Sequence, residues 1–180
     1  RRGPCSRSRP RPERRLHAMS PSNRERASVD AITLLKDDHK MVRKLLDELE
    51  KSTVRAAKRR TTLLAKIATN LKAHTAIEEE IFYPAFKEAG RKSDDDKMYF
   101  EALEEHRAAG ELVLPDLLKT DPASEKFSGR AKVLKELVEH HADEEEKDMF
   151  PRAKVLFARA ELVELGALMA DRRRQLLATR

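Results

Sequence analysis

Histidine, glutamate and proline residues recur in this chain as two copies of one spaced pattern. In each copy a lone His is followed 35 residues later by His-x-x-x-Glu, and a Pro stands six residues past the Glu. The second copy lies 67 residues after the first, so the two sets are His39, His74, Glu78 and Pro84, then His106, His141, Glu145 and Pro151. Residues four apart on a helix share one face, so two copies can place four imidazoles and two carboxylates in one cavity. That donor set suits a pair of iron ions, and manganese or zinc would also accept it.

Each histidine of the pattern occupies a position where the helical periodicity calls for an apolar side chain. Burying ionisable groups without partners costs on the order of several kcal/mol each, and a metal cluster removes that cost. A single His-x-x-x-Glu is usually a solvated surface pair, and a lone His is usually a hydrogen-bonded core residue, but the matched spacing favours metal ligands. The predicted ligands are His39, His74, Glu78, His106, His141 and Glu145. Two His per ion, two bridging Glu and an oxo or hydroxo bridge would leave room for one external ligand.

His140 and Glu144 form an alternative pair, because they have the same spacing as His141 and Glu145. Three observations favour His141. Its distance to the following Pro equals that in the first copy, it lies three residues after an apolar residue as His74 does, and Met149 matches Phe82 eight residues on. This interpretation puts His140 on the rim of the site, and the alternative stays open at this point.

Four long segments with helical periodicity predict an all-α fold, an up-down-up-down four-helix bundle with an additional C-terminal helix. They cover about 28–52 and 55–89 and then begin at Ser93 and Ser124, with Ser28, Ser93 and Ser124 as predicted N-caps. Gly90 should end the second helix, and Pro115 should kink the third near its end. A fifth amphipathic segment at about 156–177 is expected to pack outside the bundle or against another subunit.

Several polar residues near the predicted ligands need an interpretation of their own. Asp38 and Glu105 precede the lone histidines and would either orient a ligand imidazole or lie on the surface; the surface interpretation is favoured because both lie off the apolar seam. Glu79, Glu80, Glu144 and Glu146 are predicted to form a solvated helix face. Tyr83 would either face the centre and donate a hydrogen bond to a bound ligand or pack near a helix end, and the packing interpretation is favoured. The chain has no Gly-rich phosphate loop and no G-x-S-x-G or Cys nucleophile, so no catalytic residue is predicted.

The basic charge of the chain is concentrated at its N-terminus. The 180 residues carry a net charge of +6, but residues 1–26 hold nine Arg against two Glu. The predicted organisation is a disordered basic tail at 1–27, a bundle at 28–153 and a C-terminal helix at 154–180. Met19 is the favoured natural start, with the preceding residues as upstream sequence; a nucleic-acid-binding arm is the alternative, and nucleic acid would then contact only the tail.

Composition also limits the class of protein. Charged residues make up 39% and aromatic residues 4%, without Trp, which is typical of a helical protein with solvated outer faces. No apolar run approaches the ~18 residues of a membrane span, and the N-terminus has no apolar signal core, so a cytoplasmic protein is expected. Cys5 is the only cysteine, which excludes a disulfide within this sequence and a Cys-rich metal site.

Four segments of the chain resemble the hemerythrin-like domains, also called HHE cation-binding domains. They are LLKDDHKMVRKLLDELE at 34–50, LKAHTAIEEEIFYPAF at 71–86, ALEEHRAAGELV at 102–113 and LVEHHADEEEKDMFPRA at 137–153. The resemblance implies a four-helix bundle around a non-haem di-iron centre, and it carries the ligand roles to the six residues predicted above. Oxygen-carrying hemerythrins supply five histidines, whereas this chain offers four His and two Glu, which argues against simple reversible oxygen carriage.

The leading functional hypothesis is a di-iron protein that binds or reacts with a small ligand, namely oxygen, peroxide or nitric oxide, or that handles iron. Enzymatic peroxide decomposition is a minority branch of this hypothesis. The alternative from another class is a helical interaction module whose Arg-rich tail contacts nucleic acid. A ferritin-like oxidase ranks last, because that class uses Glu-x-x-His rather than His-x-x-x-Glu.

Overall fold

The computed structural model describes residues 29–178, and within that range it contains helices and no strand. Helix α1 forms one rod, each of the next three rods combines α-helix with a π-helical segment, and α8 is the last described helix. The elements are α1 (Ala31–Glu50), α2 (Ala57–Ile77), π1 (Glu78–Phe82), α3 (Tyr83–Ala89), α4 (Ser93–His106), π2 (Arg107–Val113), α5 (Leu114–Leu118), α6 (Glu125–Glu144), π3 (Glu145–Met149), α7 (Phe150–Leu156) and α8 (Arg159–Ala178), with a 3-10 turn at Val54–Ala56 before α2. The predicted all-α class is confirmed, and the helix order is consistent with the predicted up-down-up-down bundle. The predicted tail at 1–27 lies outside the described residues.

The helix ends differ in part from the predicted caps. Helix α1 begins at Ala31, and the Asp30 carboxylate accepts the N–H of Thr33 at 3.0 Å, so the predicted cap at Ser28, outside the described residues, is wrong. Ser124 does cap α6, since its hydroxyl accepts the N–H of Phe127 at 3.2 Å. A carboxylate accepts such a bond as readily as a hydroxyl, and the choice between neighbouring cap candidates depends on where the chain turns.

The N-terminus of α4 is held by a buried aspartate instead of the predicted Ser93 cap. Ser93 is already the first helical residue, and Asp95 Oδ2 accepts the backbone N–H of Arg91 and Lys92 at 3.0 and 3.1 Å. Arg152 on α7 donates two bonds to the same carboxylate, at 2.6 and 2.8 Å. The guanidinium outweighs the burial of Asp95 and holds the pKa of its carboxyl well below the ordinary value. Asp95 therefore fixes α4 to α7 as well as capping α4.

A proline follows each of the three π-helical segments. Pro84, Pro115 and Pro151 all lie in the first turn of the α-helix that continues the rod. Proline has no N–H for an i→i−4 hydrogen bond, and its ring clashes with the carbonyl of residue i−4. In the wider π turn before the proline, an N–H bonds instead to the carbonyl five residues earlier, as Tyr83 N–H does to the Glu78 carbonyl. The fixed distance from Glu to Pro in the sequence repeat thus corresponds to the length of one π segment, and a π segment also precedes Pro115, where a kink was predicted.

Two apolar clusters fill the core on either side of a polar layer. One contains Ala31, Ile32, Leu35, Ile77, Phe82, Tyr83, Phe86, Ala102, Met149, Phe150, Ala153, Leu162 and Met169. The other contains Val42, Leu46, Leu49, Leu63, Leu64, Ile67, Leu71, Leu114, Leu117, Phe127, Ala131, Leu134 and Val138. Along α1 the change from one cluster to the other comes at His39. Along the rod of α6, π3 and α7 it comes between Val138 and Met149, where His141 and Glu145 lie. The predicted ligands therefore form a layer that divides the core.

Two further contacts hold the ends of the bundle. Arg60 of α2 is 2% exposed and donates to Ser52, Pro122 and Ser128, which joins the loop after α1 to the start of α6. Helix α8 packs on α1 and α2 with Gly166 against the chain at the start of α1, where an added Cβ would lie 2.3 Å from the Val29 carbonyl oxygen. Within the described residues, no helix is long and apolar enough to cross a membrane.

Candidate metal centre

All six predicted ligands lie together in the polar layer of the bundle. The histidines are 4–6% exposed, Glu145 is 2% exposed and Glu78 is fully buried. The lone histidines come from α1 and α4, while each His-x-x-x-Glu spans the junction between an α-helix and the π segment that follows it. Glu78 and Glu145 are the first residues of π1 and π3, and such single π turns are frequent at functional sites.

The donor atoms form two neighbouring groups that share a carboxylate. His39, His74, Glu78 and Glu145 form one group, and Glu78, His106 and His141 form the other; within each, the donor atoms lie within 4.8 Å of one another. Glu78 Oε2 lies 3.3 Å from the Nε2 atoms of His74 and His106. Glu145 Oε2 lies 3.2 Å from His39 Nε2 and 3.6 Å from His141 Nε2. Both carboxylates therefore lie between the two histidine pairs, where bridging ligands are expected.

The outer nitrogen of each imidazole faces a carboxylate. Glu146 lies 3.1 Å from His39 Nδ1, Glu79 lies 2.8 Å from His106 Nδ1, and Glu105 lies 2.8 Å from His141 Nδ1. Asp38 Oδ2 is 3.6 Å from His74 Nδ1, and its other oxygen accepts a bond from Arg173 of α8 at 2.8 Å. A proton held on Nδ1 by a carboxylate leaves the Nε2 lone pair free for a metal, and it fixes the ring orientation.

These contacts correct the sequence interpretation, which had favoured the surface for Asp38 and Glu105 over orienting a ligand imidazole, and which gave Glu79 and Glu146 no role beyond a solvated face. Asp38 is 4% exposed, and even the half-exposed Glu79 contacts a ligand. A signal was present, because Asp38 and Glu105 are 67 residues apart, as are Glu79 and Glu146. The repeat thus includes the partners of the ligands, and only the tertiary structure shows that the residue beside one ligand contacts a different one.

Tyr83 also has a larger role than the packing predicted for it. Its ring is fully buried, and its hydroxyl donates to Glu145 Oε1 at 2.9 Å and lies 3.3 Å from His106 Nε2. The equivalent residue of the second copy is Phe150, which stacks on His39 at 5.8 Å between ring centroids. Burial, with the charges of Glu145 and Glu78 adding to it, raises the pKa of the Tyr83 hydroxyl well above its ordinary value. The site therefore has a neutral hydroxyl donor on one side only.

The two bridging carboxyls differ in protonation when no cation is bound. Burial raises the pKa of Glu78 well above its ordinary value, and the charge of Glu145 raises it further. Burial also disfavours ionised Glu145, but the imidazoles of His141 and His39 outweigh burial and lower the pKa of that carboxyl. Without a bound cation, Glu78 therefore holds a proton more strongly than Glu145 does.

The pKa values of the His74, His39 and His141 imidazoles are shifted in different directions. Burial lowers the pKa of His74 to about 4, so this ring is neutral at pH 7. For His39 and His141, burial is outweighed by carboxylates, chiefly Glu145, and the pKa of each is raised. Protons on these rings and on Glu78 occupy atoms that a metal ion would bind.

Several buried polar atoms of the site have no hydrogen-bond partner. They include both oxygens of Glu78, Oε2 of Glu145 and Nε2 of His39. Buried polar atoms are nearly always paired, and these four unpaired atoms belong to predicted ligands. The outer pair His74 Nδ1 and Asp38 Oδ2 is also without a hydrogen bond. Imidazole nitrogens and carboxylate oxygens are ligands for iron, manganese and zinc, so the residues fit a pair of cations of this class.

His140 lies outside this layer. Its side chain is 63% exposed, and its Nε2 atom lies 3.5 Å from Glu105 and 3.3 Å from Glu144. His141 points into the core at the same level as the other three predicted histidine ligands. The fold therefore brings His141 and Glu145 into the layer and leaves His140 and Glu144 on its rim.

A small cavity of about 30 Å³ borders the histidines on the side away from Tyr83. All four predicted ligand imidazoles line it, and the remaining walls include Val42, Leu71, Ala109, Gly110 and Val138. Roughly 10–15 Å³ by this measure is enough for one water molecule, so the cavity admits a ligand of one or two heavy atoms.

The comparisons with known proteins agree with this architecture. The sequence profile of the family described as Hemerythrin HHE cation binding domain matches residues 30–153. Uncharacterized proteins of Mycobacterium tuberculosis (Rv2633c) and Mycobacterium bovis (Mb2666c) are each 31% identical over 149 residues, covering 82% of this chain and 88% of theirs. The crystal structure of a Hemerythrin HHE cation binding domain-containing protein from Mycobacterium kansasii, a homologue of Rv2633c, superposes with a TM-score of 0.72 at 31% identity, covering 84% of this chain and 89% of that one.

Proposed function

The chain belongs to the hemerythrin HHE cation-binding family, and we propose that it binds a pair of iron ions that interact with a small ligand such as oxygen, peroxide or nitric oxide. The observation that carries this proposal is the layer of six buried donors, in which both oxygens of Glu78, Glu145 Oε2 and His39 Nε2 have no hydrogen-bond partner. His39 and His74 would hold one ion and His106 and His141 the other, with Glu78 and Glu145 between them. Bound iron supplies electrons that can be shared with a small molecule.

The residues around the centre determine what else the site can do. Glu146, Glu79 and Glu105 hold the Nδ1 protons of His39, His106 and His141, while Asp38 lies 3.6 Å from His74 Nδ1. The Nε2 atoms of these rings therefore face the centre. The apolar walls of the cavity exclude bulk water and limit the ligand to about two heavy atoms. Tyr83 keeps its proton and holds it at Glu145 Oε1, 2.9 Å away, where it serves as a hydrogen-bond donor on the His106 side. Turnover of a substrate such as peroxide is a narrower form of the same proposal.

The first test is iron content per chain after expression in iron-supplied cells, measured by plasma mass spectrometry. We expect about two irons per chain in the parent, as in di-iron bundles, and a sharp loss in His74→Ala and in His141→Ala. His140→Ala is the matched control, because it removes the adjacent imidazole from the rim, and its iron content should stay at the parent level. A folded parent without metal would contradict the proposal.

The second test addresses the ligand. Val138→Leu adds one methylene to the wall of the small cavity and should weaken binding of nitric oxide to the iron-loaded protein, followed by its absorption spectrum, at unchanged iron content. Val133→Leu makes the same change at a position that is 46% exposed on the same helix, and it should bind like the parent. Equal nitric oxide binding in both variants and the parent would mean that the cavity is not the ligand site.

A further inference from the structure

A second group of metal-ligand side chains lies at the rim of the candidate centre. Glu105, His140 and Glu144 offer donor atoms that lie within 4.8 Å of one another. Glu105 faces both sites, since Oε2 is 2.8 Å from His141 Nδ1 and Oε1 is 3.5 Å from His140 Nε2. One carboxylate therefore connects the exposed group to a predicted ligand of the buried layer.

A groove lies beside this rim and includes one residue of the polar layer in its lining. Its volume is about 690 Å³, and α4 forms one wall while π3 and α7 form the other. Glu105 and Glu144 line the groove, together with the acidic residues Asp94, Glu101 and Asp148. The basic residues that line it are Lys97, Lys147 and Arg152, and Arg152 is already bound to the buried Asp95.

Glu145, a predicted ligand of the buried layer, also lines the groove. This residue is 2% exposed, and its Oε2 atom has no hydrogen-bond partner. Of the groove and the small histidine cavity, only the groove includes Glu145 in its lining. The groove is therefore lined both by Glu105 and Glu144 of the exposed group and by a buried carboxylate with an unpartnered oxygen.

We propose that Glu105, His140 and Glu144 form a second, weaker site for a divalent cation, and that a cation captured there reaches the buried centre through the groove that Glu145 lines. This inference rests on the proposed function for its destination. One imidazole and two carboxylates suit Fe²⁺ or Mn²⁺, and with three donors near the surface the site binds more weakly than the buried layer. The acidic lining attracts cations, an effect that decreases as salt is added.

The test uses the full chain and the double variant His140→Ala/Glu144→Gln, which leaves Glu105 and all six buried donors in place. Metal-free protein is mixed with Fe²⁺ without oxygen, and the rate of uptake and the final iron content are both measured. We expect uptake to slow by about tenfold, the lower end of electrostatic steering effects, with the final content unchanged. Glu136→Gln, which removes the same charge from an exposed position of α6, should load at the parent rate.

A second measurement counts the weak site directly. Mn²⁺ is titrated into iron-loaded protein, and the loss of its free electron paramagnetic resonance signal gives the ions bound. The parent and Glu136→Gln should bind one weak Mn²⁺ that the double variant does not bind. Uptake at the parent rate in the double variant, or a reduced final iron content, would overturn the delivery role, and Mn²⁺ binding equal to the parent would overturn the rim site. A parent that takes up no iron would instead refute the proposed function, and the Mn²⁺ titration would still decide the rim site.

Discussion

The two bridging glutamates should respond differently to the same isosteric substitution, although the sequence repeat makes them equivalent. We expect Glu78 to be protonated in the metal-free protein, because burial and the charge of Glu145 raise its pKa well above the ordinary value, and neither of its oxygens has a hydrogen-bond partner. Glu78→Gln replaces one neutral group with another of the same size. We expect the free energy of unfolding of the metal-free protein to change by less than about 1 kcal/mol, as for a substitution that breaks no hydrogen bond.

Glu145→Gln should be more costly. Glu145 is ionised, accepts the Tyr83 hydroxyl at 2.9 Å and lies 3.2 Å from His39 Nε2. The amide of the glutamine can still accept the Tyr83 hydroxyl. The variant loses about one hydrogen bond to a charged group, and the imidazoles of His39 and His141 lose their negative partner. We expect the free energy of unfolding to fall by roughly 2–4 kcal/mol. At about 2–4 °C per kcal/mol for a domain of this size, that lowers Tm by roughly 4–16 °C.

The assay is urea unfolding of chelator-treated protein, repeated with added metal. At a free metal concentration of about 100 times Kd, the parent should gain roughly 2.7 kcal/mol per site, and both variants should lose most of that gain. The control is Glu136→Gln at an exposed position, which should match the parent in both conditions. Equal destabilisation of the metal-free protein by Glu78→Gln and Glu145→Gln would refute the argument, because it would mean that both carboxyls are ionised.

Three further predictions concern pH and packing. Metal affinity, measured by calorimetry with Zn²⁺, should fall as pH falls, because the ion displaces protons from His39, His141 and Glu78, whose pKa values are all raised; an affinity independent of pH would contradict this protonation pattern. Gly166→Ala should lower the free energy of unfolding in urea by about 1–3 kcal/mol, because the added Cβ would lie 2.3 Å from the Val29 carbonyl oxygen. Gly129→Ala is the control and should stabilise the protein, because a Cβ there meets open space. Arg60→Met should lower the free energy of unfolding by roughly 2–4 kcal/mol in the same assay, because the half-buried carbonyl oxygens of Ser52 and Pro122 lose their donor. A stability equal to the parent would show that water replaces the guanidinium.

The sequence repeat was sufficient to predict the helices and the set of inward-facing donors. A periodic apolar seam fixes which face of a helix is buried, so a His or Glu in the seam must enter the core. The matched offsets of the two copies then indicate that the four rods present their donors at one level. The choice of His141 over His140 followed from the same argument, because a shift of one residue turns a side chain about 100° around the helix.

Contacts between helices could not be predicted in this way. Asp38 and Glu79 lie beside ligands in the sequence, but each contacts a histidine on another helix, so their role depends on how the rods are rotated against each other. Helix caps depended likewise on the local path of the chain, which placed Asp30 and Asp95 where serines were predicted.

The sequence by itself determined the chemistry of the centre, because residue type and periodicity decide which groups are buried. Only the tertiary structure decided the states of those groups. Glu78 and Glu145 differ in pKa, Tyr83 donates a hydrogen bond to Glu145, and a groove is lined by Glu145. All three features depend on atoms of separate helices that lie within a few ångströms of one another. Electrostatic interactions at such distances in a buried site depend on position, and position is set by packing.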